Sequence, residues 1–347
     1  MAQSTPETVV YVSNAGSKEV WVLAMNRATG ELDLIDKTPV PGNDKPSPTS
    51  IPMALSPDRR FLYAALRSEP FTVASFAIDQ QTGKLGHLGN APLEASMAYT
   101  TIDRTGRWLL GASYPQGKLT INPIDTAGRV EPLPSQVVGG RPKAHCVLVD
   151  ASNRFVYCAV LAQDIILQLK FDPAIGMVSP NTPDSIATKP GAGPRHMAFH
   201  PSGRFLYLLT ETTATIGAYA VDPGTGTLKE LQFVDTLPDE FTDQPSAADL
   251  HVTPDGKFLY GSERKTSTLT GFRIDPEKGT LSPVGRFPTE TTPRGFAIDP
   301  RGRFLLSAGL ASHHLTVYAI EGDGALTPKQ RHAMGQMPNW VEFVDLK

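Results

Sequence analysis

The chain has 347 residues, with 32 Lys+Arg against 35 Asp+Glu, so neither a basic nucleic-acid surface nor an acidic disordered tail is indicated. No apolar run approaches the ~20 residues of a membrane helix, and the start, MAQSTPETVVYVSN, lacks the basic region and apolar core of a signal peptide. Two cysteines, Cys146 and Cys158, offer no disulfide framework; a cytoplasmic protein with no nucleic-acid or membrane partner is expected.

The first element in chain order, TVVYVSN (8–14), reads as a strand, and ATGEL behind it as a hairpin around Gly30. The Pro-rich connector TPVPGNDKPSPTS (38–50) reads as a rigid loop. SPDRRFLY (56–63) then opens a pattern of turn followed by apolar strand. It returns as DRTGRWLL (103–110), DASNRFVY (150–157), HPSGRFLY (200–207), TPDGKFLY (253–260) and DPRGRFLL (299–306), six copies 46 to 53 residues apart. Gly30 also returns, as Gly83, Gly128, Gly176, Gly226, Gly279 and Gly324, each two residues before Leu or Val. Such a period marks a repeat architecture. In the fifth unit HMAF, RFLYLL, ATIGAYAV and TLKELQ read as four strands between Pro/Gly turns, with no sustained helical period. Seven units of four antiparallel strands predict an all-β fold, a seven-bladed β-propeller over 1–347 as one domain. The first unit lacks its inner strand. The C-terminal MPNWVEFVDLK matches it, Pro338 aligning with Pro194, so the last strand is expected to complete blade one and close the ring.

Repeats share a scaffold, so function is sought where equivalent positions disagree. The position at the start of the inner strand holds Asn339, Ile51, Ala98, His145, Arg195, Ala248 and Arg294 around the ring. Sixteen residues on, just after the second strand, blades two to seven hold Arg67, Tyr114, Leu161, Glu211, Arg264 and Leu310. The two strands are antiparallel, so both positions lie at one end of the blade near the axis. His145, Arg195, Glu211, Arg264 and Arg294 should therefore converge on one mouth, with Arg67, His196 and His251 close by and His313–His314 at the same end. Any one of these residues alone reads as a solvated strand end or a packed histidine. Together, guanidiniums around one carboxylate and one imidazole form a pocket for a small anion.

Other chemistry finds little support. There is no G-x-S-x-G, no H-E-x-x-H and no Cys-x-x-Cys. Cys146 follows His145 directly, and strand alternation would point the two apart. His313–His314 could be a metal pair, and Asp239, Glu240 and Asp243 in the loop LPDEFTDQPSAAD (237–249) could order a cation, but a solvated loop is the expectation. No metal and no cofactor are expected.

At GPRHMAFHP, AADLHVTPDGKFLY, TPRGFAIDP and GLASHHLTVY, over essentially the whole chain, the sequence resembles the lactonase family of seven-bladed propellers, which includes bacterial 6-phosphogluconolactonases and the fungal carboxymuconate-lactonizing enzyme. The resemblance implies a site at His145, Arg195, Glu211 and Arg264. One departure stands out: where phosphogluconolactonases carry a basic run, this chain has Ala162, Gln163, Asp164 and Ile165. The expectation is hydrolysis of an anionic sugar-acid lactone, 6-phosphogluconolactone first, by a monomer or weak homodimer. His145 or Glu211 would be the base, Arg195 and Arg264 would face the oxyanion, and Arg294, His196, His251, Arg67 and His314 would bind substrate. An unphosphorylated hexaro- or urono-lactone, a muconate cycloisomerase activity, or a non-catalytic protein-binding propeller are the alternatives.

Overall fold

Seven four-stranded antiparallel sheets follow one another in the computed structural model, which describes residues 6–43, 45 and 49–346. Blades two to seven each use four consecutive strands. Blade one is assembled from both ends of the chain: Pro338–Asp345 is its inner strand, followed outward by Thr8–Asn14, Glu19–Met25 and Leu32–Pro39. The closure expected from the C-terminal sequence is therefore present. Thr8 pairs with Asp345 at one end of the seam and Asn14 with Pro338 at the other. The inner strands touch in ring order, blade seven against blade one included. Four residues of the Pro-rich connector, 44 and 46–48, lie outside the described residues. No helix is long and apolar enough to cross a membrane among the described residues.

The second strands are buried along their whole length, as in Phe205–Thr210 and Phe304–Gly309, except for the half-buried Phe61 and Trp108 that open those of blades two and three. Blades stack face to face, so both faces of these strands are covered, and their sequences read as continuous apolar runs instead of alternating ones. The core divides into seven apolar clusters, each built from two neighbouring blades.

The two repeat markers meet across these boundaries. The aromatic residue that opens a second strand packs on the marker glycine of the next blade: Phe155 on Gly226, Phe205 on Gly279, Phe304 on Gly30. A Cβ at those glycines would lie 2.2 to 2.7 Å from the ring, and their φ angles are +70°, +70° and +77°; both conditions require glycine. Two residues further along the strand, Tyr157, Tyr207 and Tyr260 donate their hydroxyls to the carbonyls of Gly226, Gly279 and Gly324 at 2.8 to 3.1 Å. Tyr11 does the same to Gly83 at 2.7 Å. The repeated R-F-L-Y and G-x-L motifs are thus two halves of one inter-blade joint.

Candidate active site

Six of the seven inner strands break register with their neighbour near their start. In blades one, three, four, five and seven one residue is left over: Asn339, Ala98, His145, Arg195 and Arg294. Blade six leaves two, Ala248 and Asp249. These are the positions at which the repeats disagree. A bulge re-aims a side chain away from the regular pleat, so the scaffold supplies a ring of redirected side chains, and each blade is free to choose its residue. Blade one uses Asn339 structurally; its Oδ1 accepts a hydrogen bond from Ile51 N at 2.9 Å. Cys146, beside the bulged His145, is buried in the cluster between blades four and five, and burial pushes its thiol pKa up.

Glu211 lies between two guanidiniums. Its Oε2 accepts from Arg195 Nε and its Oε1 from Arg264 Nη2, both at 3.0 Å. Burial would raise its pKa, but Arg195 and Arg264 outweigh burial and hold the carboxyl below its ordinary value. Arg195 is 1 % exposed and also donates to the Ala248 carbonyl. Arg264 is anchored by Nε to the Ser246 carbonyl at 2.8 Å. Arg67 is held by Ser50 Oγ at 2.9 Å and Ser96 Oγ at 3.2 Å. Arg294 differs from all of these: it makes no hydrogen bond or ion pair among the described residues. Burial, then Arg195, Arg264 and Arg67, press its pKa well below the ordinary value. It is a cation kept where charge is costly, with an unused donor fork.

His145 is 4 % exposed. Burial lowers its pKa well below 6.5, and Arg195, His196, Arg294 and Arg67 add to the effect. The ring is therefore neutral at neutral pH. Tyr114 packs against it edge-on at 5.7 Å and His196 at 5.1 Å between centroids. His196 is itself depressed to about 4 by burial and Arg195.

The sequence reading missed Asp249. It sits one residue past the bulge position of blade six, in a second ring that reads Trp340, Pro52, Tyr99, Cys146, His196, Asp249 and Gly295. Comparing that ring across blades would have exposed it, because His196 and Asp249 are its acid–base neighbours. The Asp249 carboxylate meets His196 Nδ1 at 2.7 Å and His251 Nε2 at 3.1 Å, and accepts from the backbone N–H groups of Leu250 and Phe296 at 2.9 and 3.0 Å. Burial opposes ionisation, but His251 and the His196 hydrogen bond win, and the carboxyl is held well below its usual range. Burial lowers and Asp249 raises the pKa of His251, with a net rise.

The remaining candidates fall elsewhere. His314 begins the third strand of blade seven, where its Nδ1 bonds the Ser312 carbonyl at 2.6 Å, and it makes no hydrogen bond or ion pair with the arginine cluster among the described residues. Asp239, Glu240 and Asp243 are exposed, and no group of three or more His, Cys, Asp or Glu gathers as a metal site among the described residues. Residues Leu161–Gln163 form a short 3-10 turn, after which Asp164 accepts from Gly191 N and Gly193 N at 2.7 and 2.9 Å. Asp164 thereby shapes the loop that leads into Arg195.

The profile of a family described as lactonase, 7-bladed β-propeller, matches residues 43–343. The chain belongs to this lactonase family. A 6-phosphogluconolactonase of Pectobacterium atrosepticum is 40% identical over 342 residues, covering 98% of this chain and 99% of that one. A 6-phosphogluconolactonase of Erwinia tasmaniensis is 39% identical over 335 residues, 96% of this chain and 97% of the other. Among solved structures, the periplasmic gluconolactonase of Pseudomonas aeruginosa superposes with a TM-score of 0.88 at 26% identity, over 98% of this chain and 99% of that one.

Proposed function

We propose that this lactonase hydrolyses 6-phosphogluconolactone to 6-phosphogluconate, without a metal or other cofactor. The observation that carries the reading is the unpaired Arg294 guanidinium beside the neutral, buried His145, with Arg67 and Arg264 nearby. The names of the similar proteins support the substrate. A lactone is an activated ester, so one base, a positioned water and charge stabilisation suffice. His145 takes a proton from water as the water oxygen attacks the lactone carbonyl carbon. Arg264 stabilises the oxyanion. Collapse expels the ring oxygen, which takes the proton from His145, and the new carboxylic acid ionises.

His145 is preferred to Glu211 as base because both carboxylate oxygens of Glu211 are engaged by guanidiniums and its basicity is lowered. Arg195, sealed at 1 % exposure, acts behind Glu211 and not on the oxyanion. Arg294 and Arg67 bind the anionic end of the substrate. His251, half-exposed on the axis, and His196 line its floor, while His314 is left outside the site. The absence of basic side chains at Ala162, Gln163 and Ile165 favours a second reading, an unphosphorylated hexaro- or urono-lactone. Two free, buried thiols suit the cytoplasm, and a monomer or weak dimer is proposed. Assaying 6-phosphogluconolactone, gluconolactone and a hexaric-acid lactone at matched concentration tests the proposal; turnover of none of them above the spontaneous rate would defeat it.

A further inference from the structure

We propose that Asp249 and His196 form a relay behind His145 that determines which His145 ring nitrogen acts as the base, an inference resting on the lactonase reading above.

The starting point is a pair of orphaned atoms. His145 Nδ1 and His196 Nε2 are both buried and without a hydrogen-bond partner. Each belongs to a ring that is 4 % exposed, and the two rings lie 5.1 Å apart at 60°. Buried polar atoms of this kind call for an explanation. Asp249 provides it. Its carboxylate already accepts from the backbone N–H groups of Leu250 and Phe296, and is ionised, so it can only accept. The 2.7 Å contact therefore fixes the proton of His196 on Nδ1. A neutral His196 then carries its lone pair on Nε2, the orphaned atom. The matching donor is a proton on His145 Nδ1. With a small ring rotation, or through one water, His145 Nδ1–H donates to His196 Nε2 and both orphans are satisfied. The lone pair of His145 is then confined to Nε2, the nitrogen not sealed against the protein.

In the reaction, His145 Nε2 takes the proton from water and later returns it to the departing ring oxygen. The Nδ1 proton stays with His145, and that of His196 stays on its own Nδ1. His196 and Asp249 are thus positioning residues: they set the tautomer and stabilise the imidazolium that forms. Other charged or titratable groups act on the pair as well: Arg67, Arg195 and Arg294 on His145, Arg195 and His251 on His196. They change how strongly each ring binds a proton, but none of them dictates which nitrogen carries it. A purely structural alternative is that His196 fills the axis, packed against Tyr99 at 5.2 Å and Trp340 at 6.1 Å.

The test combines nitrogen-15 NMR of the histidine rings with a mutant cycle. In the wild-type protein at neutral pH, His145 should be the Nδ1–H tautomer; finding Nε2–H overturns the relay and needs no variant. Asp249→Asn should lower kcat about tenfold or more with KM changed less than twofold. In a His145→Ala background the same substitution should cost nothing further, since the three residues act as a unit. An equal loss in both backgrounds would assign Asp249 to structure alone. A wild-type protein that turns over no lactone defeats the lactonase reading, while the tautomer still decides the relay.

Discussion

Arg264 reaches across the boundary between blades five and six to Glu211, Nη2 to Oε1 at 3.0 Å, while Arg195 holds the other oxygen at the same distance. One carboxylate therefore bridges two guanidiniums and offsets part of their mutual repulsion in a partly desolvated mouth. It leaves Arg294 without a hydrogen bond or ion pair among the described residues.

Glu211→Gln should both destabilise and slow the enzyme. Removing the carboxylate of this largely buried cluster leaves two guanidiniums uncompensated, a loss of about 3 kcal/mol. The carboxamide would also turn its NH2 toward one guanidinium. A clearly lowered Tm together with reduced kcat is expected from thermal melts and lactone assays. Loss of stability with unchanged kcat would confine Glu211 to scaffolding.

The fold was legible because its joint is written twice per repeat. Phe205 and Gly279, or Phe304 and Gly30, are each other's packing partners, so both appear at the same period in the sequence. The candidate site could be read for a related reason: in six blades the bulge takes a position near the start of the inner strand out of the regular pairing, and His145, Arg195 and Arg294 stand out there against Ala98 and Ala248. Asp249 was not legible. Blade six leaves two residues unpaired instead of one, and the second of them is the carboxylate that meets His196 and His251. His314 shares that end of the blade but begins a third strand, further out than the bulges.

His145→Ala should lower kcat by about 10²–10⁴ in a folded protein. The pH dependence follows from the direction of its shift. Burial and the surrounding arginines hold the ring well below 6.5, so kcat/KM should keep its plateau well below that pH before an acid limb appears. A bound anion neutralises the arginines and raises the His145 pKa, so the acid limb of kcat should lie higher than that of kcat/KM. An acid limb in kcat/KM at 6.5 or above would place the base elsewhere.

Stability should also fall on acidification. His145 and His196 have folded-state pKa values below the unfolded 6.5, so between those values the unfolded chain binds more protons. Their contribution is complete above about pH 6.5 and is lost as pH falls, for His196 down to about 4. His251 has the opposite sign: its raised pKa stabilises the fold below 6.5, and that part is lost as pH rises through its folded value. Two against one, Tm should drop from pH 6.5 to 4, and the drop should shrink in His196→Gln. An identical pH slope in that variant would contradict the assignment.

Deleting 338–347 should be far more damaging than its length suggests. It removes the whole inner strand of blade one, leaves Thr8–Asn14 as an unpaired edge and opens two inter-blade clusters at once. Asn339→Ala is the milder version, since it takes away the acceptor for Ile51 N at the seam between blades one and two. Loss of soluble folded protein for the deletion, and a lowered Tm for the point variant, are expected. A truncated chain melting like the full one would refute the closure.

Arg294 decides how substrate charge is read. Its fork is unused among the described residues, it is half-buried, and Arg67, Arg195 and Arg264 all raise the cost of its charge. An anion held there keeps the same charge in the ground and transition states, so it relieves that cost equally in both. Arg294→Ala should therefore act mainly on KM. A charge-assisted hydrogen bond contributes about 1.5–3 kcal/mol, so KM for a charged lactone should rise about 10- to 100-fold. Neutral gluconolactone, which has nothing to offer the fork, should be nearly indifferent to the change. Arg264→Ala, next to the developing oxyanion, should instead lower kcat by about 10² or more for charged and neutral lactones alike. Comparing gluconolactone, its 6-phosphate and a hexaric-acid lactone across the wild type and both variants separates the two roles. Charged lactones turning over no better than the neutral one would end the anion-pocket reading, and a preference for the hexaric lactone would favour the reading drawn from Ala162 and Ile165.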